Sequence, residues 1–203
     1  MSLVVWEWIV GVLANVASFV LMIPQVVRLL RTRRTEGVSQ MWAAIGVVLN
    51  AGWLAYVLAN AYLIPVPAIV MVMGSFALTL YLLRRDGVNI TSGLLVGAGM
   101  TLLFLGVLAV EGWVVMGTAL ALANGIHHAP SVIVVWRTDV PVGVSPGTWL
   151  LAALEGVAWA TFAAIIWDWP IFLFGVTAFL GSMVILIRLW LVRHKIRAEL
   201  QGN

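Results

Sequence analysis

Of 203 residues, 63% are hydrophobic and only 9% charged, with a mean hydropathy of +1.09, whereas a water-soluble domain uses about 25% charged residues; the solvent for most of this surface is lipid. The lack of cysteine excludes a disulfide framework and a thiolate metal site. A net charge of +3 could suit nucleic acid, but the basic residues stand at the ends of apolar segments and read as topology signals instead.

Seven apolar segments are each long enough to cross a hydrocarbon layer of about 30 Å. They run over Val4–Leu30, Gln40–Ala61, Ile64–Leu83, Thr91–Val110, Trp113–Trp136, Thr148–Trp167 and Trp169–Val192. All eleven Lys and Arg follow the first, third, fifth and seventh segments. The positive-inside rule makes those ends cytoplasmic. The prediction is a multi-pass protein of the cell membrane with its N-terminus outside and its C-terminus cytoplasmic. Trp6, Trp8, Trp113, Trp167 and Trp169, with Glu7, Glu111 and Asp168, fit an outer headgroup belt; Trp42, Trp136, Trp149 and Trp190 fit an inner one. Trp53 and Trp159 are left well inside the layer.

Sliding the chain on itself by about 106 residues lays Pro24 on Pro130, Arg31-Thr32 on Arg137-Thr138, Gly37-Val38-Ser39 on Gly143-Val144-Ser145, and Trp53 on Trp159. Three spans per copy and one between them predict an all-α membrane protein of seven helices, two parallel three-helix repeats joined by a linker helix. The units are 1–86, the linker 87–111 and 112–203, the last with a short basic tail. Parallel repeats place a substrate between them near the midplane. Gly97, Gly99 and Gly106 in the linker read as close-packing positions.

Pro24 and Pro130 each remove a backbone hydrogen bond inside a span and predict a kink or a hinge, with Gln25 beside the first. Trp53 and Trp159 offer flat faces and one N–H donor each to a solute, or pack as core aromatics. Asn50 and Tyr56 share the side of Trp53 by helical spacing. Asn124, His127, His128 and Ser131 form one face of the fifth span, with Asn15, Ser18 and Gln25 as the stripe on the first. In lipid such stripes must face protein or water; they line a cavity or join helices. Glu155, one turn from Trp159, is the acid placed inside the layer, a candidate proton carrier with His127 or a partner for Arg137. Adjacent on a helix, His127 and His128 point to different sides and do not chelate together. No phosphate-binding loop, nucleophile elbow, metal set or cofactor motif is present, which argues against an enzyme.

Pro24-Gln25, Thr35-Glu36-Gly37-Val38-Ser39 and Asn50-x-x-Trp53-x-x-Tyr56 resemble the signature of the SWEET, SemiSWEET and PQ-loop transporters. The resemblance implies a uniporter that carries a small polar solute, above all a sugar, by alternating access. The substrate would meet Trp53, Trp159, Asn50, Asn124, His128 and Ser18; Pro24, Gln25 and Pro130 would form the hinge or gate. Sugar carriers of the family have an asparagine in each third span, where this chain has Val70 and Gly175. Two alternatives are a proton-coupled porter of an amino acid or similar solute through Glu155 or His127, and a ligand-binding receptor of the same fold. The partners implied are the solute and the bilayer, with no nucleic acid; association into a homo-oligomer is open.

Overall fold

A computed structural model describes residues 2–32, 39–139 and 144–201, without the side chains at 22–26, 28, 29, 32, 130, 134 and 196–201. The repeated Gly37-Val38 and Gly143 fall outside the described residues, as do the side chains of Pro24, Gln25 and Pro130.

The described chain is helical and apolar: α1 (Leu3–Thr32), α2 (Gln40–Ala59), α3 (Val66–Arg85), α4 (Thr91–Arg137), α5 (Pro146–Ile166) and α6 (Trp169–Gln201). Each is long and apolar enough to cross a membrane, and each satisfies its backbone internally, as lipid requires. Hydroxyls within the spans do the same, Ser75, Thr79, Thr101, Thr118 and Thr161 donating to the carbonyl one turn back on their own helices. The outward faces are apolar, with Val110 80% and Leu102 70% exposed, the reverse of a water-facing surface.

The expected fourth and fifth spans form one element. At 47 residues a straight α4 would be about 70 Å long, more than twice the hydrocarbon thickness. It is broken at Gly112, with φ 80° and ψ −173°, backbone space that is essentially glycine's alone. Along the first arm, 91–111, Gly93 abuts Gln40 and Gly97 abuts Val48; along the second, 113–137, Gly117 abuts Tyr56, Leu120 abuts Gly52 and His127 stacks on Trp42. The arms thus run along α2 in opposite directions, and a single glycine replaces the expected connecting loop. Of the linker glycines Gly97 packs closely as expected, while Gly99 and Gly106 have open space beside them.

The helices pack as a closed ring, α1 on α3, α3 on α2, α2 on α4, α4 on α6, α6 on α5 and α5 on α1. The tightest approach joins α5 to α6: a side chain on Gly156 would meet the backbone of Gly175 and Phe179, and one on Gly175 the backbone of Gly156 and Ala160. Small residues let two backbones touch where no hydrophobic effect drives helices together. The serine of the repeated Gly-Val-Ser has a local role in both copies. Ser39 Oγ accepts the Trp42 N–H and caps α2, and Ser145 Oγ accepts the Thr148 N–H and caps α5.

The basic ends gather on one side. Gln40 at the start of α2 donates to Ser92 in the first turn of α4, shortly after Arg85 ends α3, and Arg188 of α6 donates to the Thr138 carbonyl beside Arg137. The opposite end is sealed by an apolar core that includes Ala14, Leu49, Tyr56, Phe104, Leu120, Phe162 and Ile171.

Candidate functional site

The ring encloses a cavity of about 520 Å³, a size suited to a small solute. Ten pairs of its lining residues are separated by 106 positions: Ser18 with Asn124, Leu21 with His127, Trp42 with Thr148, Gly46 with Ala152, Leu49 with Glu155, Trp53 with Trp159, Pro65 with Ile171, Ala68 with Phe174, Val72 with Ala178, and Phe76 with Ser182. The duplication noticed in a few motif residues therefore extends along every helix that faces the cavity.

Trp53 of α2 and Trp159 of α5 are both buried in this wall. Trp159 Nε1 lies 3.4 Å from Ser18 Oγ, and Ser18 Oγ bonds Glu155 Oε1. Since Ser18 has one hydroxyl proton and a carboxylate is the stronger acceptor, the proton belongs on the Glu155 side rather than on the Ala14 carbonyl at 3.1 Å. The resulting chain of contacts spans α1 and α5, and Glu155 pairs with Ser18 rather than with Arg137. Trp53 Nε1 is buried without a hydrogen-bond partner among the described residues. Asn50, also on the wall, donates its amide to the Gly46 carbonyl at 2.8 Å and leaves its own oxygen available.

The second arm of α4 supplies Asn124, His127, His128 and Ser131, as its helical face predicted. His127 Nε2 is 3.0 Å from the Trp42 carbonyl, which can only accept, so that nitrogen carries the proton. Its ring is stacked on the Trp42 indole with centroids 5.6 Å apart. The two imidazoles do not point apart: both line the cavity, 5.7 Å between centroids, because the cavity is wide enough to take neighbouring positions of one helix. Trp42 and Trp149, expected in a headgroup belt, are also wall residues; their depth suits a belt, and only their inward rotation puts them on the cavity.

Residues 6–66, from the first turns of α1 through α2 to the start of α3, match the family model described as PQ loop repeat. Residues 6–66 are thus similar to a PQ-loop repeat. No curated protein matches the chain. The matched segment supplies Trp53, Ser18, Trp42 and Asn50 to the cavity, and the 106-residue pairing supplies Trp159, Asn124 and Thr148 for the first three; the partner of Asn50 is Gly156, packed on the Gly175 backbone and off the wall.

Within the PQ-loop unit two expected site residues do other work. Tyr56 turns from the cavity and donates to Asp168 Oδ2 at 2.6 Å, while Asp168 Oδ1 accepts the Ile171 N–H at 2.8 Å. Asp168 is thus no exposed loop acid; it is buried, caps α6 and joins it to α2. Asn15 bonds the carbonyls of Gly11 and Ile64, each at 2.8 Å, and accepts the Ala68 N–H at 2.9 Å. It is a cap for α3 delivered from α1, and an interhelical joint rather than a cavity group. Thr148, Thr177 and Ser182 on the wall went unnoticed in the sequence. Two of them are the 106-residue partners of Trp42 and Phe76, so carrying the repeat through those spans would have found them. Val70 is exposed, and Gly175 is engaged with α5; neither lines the cavity.

Proposed function

We propose that this protein is a membrane carrier that moves a small polar solute by opening its central cavity to one side of the bilayer at a time. The observation that carries the reading is the set of ten lining pairs 106 residues apart. A wall with ten such pairs fits two equivalent three-helix units, here 1–86 and 112–203 with 87–111 as linker, and such units can rock about a site held between them. Exchange of the units maps the helix ring onto itself when the second arm of α4 stands for α1, α5 for α2 and α6 for α3.

The Tyr56–Asp168 bond and the apolar core close one end. At the other, Thr148 of the lining is exposed. Arg84, Arg85, Arg137 and Arg188 belong to this second end, which the positive-inside rule assigns to the cytoplasm; the conformation is then inward-facing. Pro24 and Pro130 are the pivots in this reading, at repeat-equivalent positions in helices that continue through them. Trp53, Trp159, Asn50, Asn124, His128 and Ser18 meet the solute.

A sugar stacked on the paired indoles is the solute that the sequence resemblance implies. The presence of Glu155 in the wall favours a second reading, proton-coupled movement of an amino acid or similar solute with His127 as relay. Counterflow in proteoliposomes tests the carrier: trapped unlabelled solute should drive transient accumulation of its labelled form. A panel of sugars, amino acids and amines that binds without any counterflow would make the protein a receptor instead.

A further inference from the structure

The two walls of the cavity differ in charge although they correspond at ten paired positions. Glu155 occupies the place of Leu49, and His127 that of Leu21. Among the described residues of the lining none is Lys or Arg. Glu155 receives Ser18 on Oε1 and, among the described residues, no cation. A carboxylate inside a membrane span is held at a penalty unless a positive charge joins it, and none of the described lining side chains carries a permanent one. Trp159, one helical turn away, and Trp53 add indole rings, whose negative faces favour cations. The Trp53 N–H, on a residue only 7% exposed, has no acceptor among the described residues, and a buried donor of this kind calls for one.

These features select against two solute classes. An anion would meet the carboxylate head-on. A neutral polyol could accept from Trp53 but would leave the carboxylate without counter-charge. We infer, resting on the carrier reading, that the cavity selects a small organic monocation bearing a hydrogen-bond acceptor, its ammonium held by Glu155 and the indole faces and its acceptor taken by the Trp53 N–H. The corresponding wall of the other unit, with Leu49 in place of the acid, would leave such a solute asymmetrically seated.

The test uses the full chain in liposomes, with choline as cationic probe bearing a hydroxyl, glucose as neutral probe and acetate as anionic one. Saturable choline binding, read by quenching of tryptophan fluorescence, is expected to weaken at least tenfold in Glu155→Gln, which keeps the Ser18 bond, and to persist in Glu155→Asp, which keeps the charge. Unchanged thermal unfolding of both variants would separate lost binding from lost structure. Choline counterflow that disappears in Glu155→Gln supports the inference and the carrier together. Choline binding that depends on Glu155 without counterflow supports the cation site and overturns the carrier. Glucose or acetate counterflow with no choline binding overturns the cation site and leaves the carrier standing. Choline binding indifferent to Glu155→Gln, or no choline binding at all, overturns the inference.

Discussion

Trp53 and Trp159 occupy equivalent positions 106 residues apart on one cavity, yet among the described residues only Trp159 has a partner for its indole N–H, Ser18 at 3.4 Å. Substitution by phenylalanine should separate the two. Trp53→Phe removes a donor with no role inside the protein, so solute affinity should fall about three- to tenfold, a hydrogen bond being worth roughly 0.5–1.5 kcal/mol, with unfolding little changed. Trp159→Phe should disturb the Ser18–Glu155 contact and lower thermal stability as well. Binding titrations and thermal melts on the two variants check the difference; equal loss of affinity with no difference in stability would contradict it.

The bond between Tyr56 on α2 and Asp168 at the start of α6 should act as a clasp on the closed end. The chain has no cysteine, so a single Val57→Cys on the wall reports access cleanly. In Tyr56→Phe a membrane-impermeant thiol reagent added on the Tyr56 side should label Val57→Cys several-fold faster, while Asp168 keeps its bond to the Ile171 N–H. Unchanged labelling would assign closure to the apolar core alone.

Gly175→Ala should destabilise the α5–α6 pair, since the added carbon would come within 2.4 Å of the Ala160 nitrogen and neither backbone can withdraw cheaply. A loss of about 1–3 kcal/mol is expected from such overpacking. Gly74→Ala, with nothing within 4 Å of the new carbon, should be neutral or gain up to about 1 kcal/mol from the lower flexibility of alanine in a helix. Thermal melts in one detergent compare the two directly.

Ser39→Ala and Ser145→Ala should each cost about 1 kcal/mol, the usual worth of an N-cap, and the losses should add, because the caps serve different helices. A much smaller effect at either site would mean that water or a headgroup caps the helix equally well.

The sequence by itself determined what depends on position along a helix axis. Apolar length marks where chain can enter lipid, charges mark where it must leave, and a recurrence of Pro, Gly-Val-Ser and Trp at 106 residues marks a duplicated unit. The stripe of Asn124, His127, His128 and Ser131 was legible for the same reason, since polar groups in a span must find protein or water. Only the tertiary structure decided what depends on rotation about those axes and on which helices adjoin. Trp42 and Trp149 have the depth of belt residues but face the cavity; Tyr56 shares a helix face with Trp53 but reaches Asp168, 112 positions further on; Asn15, matched in pattern to a cavity group, caps a neighbouring helix. An apolar helix in lipid has no wet side to betray its inward face, because both the bilayer and the protein interior accept the same side chains. Rotation is set instead by close backbone contact, as at Gly156 and Gly175, and by a few buried hydrogen bonds whose partners lie far apart in the chain.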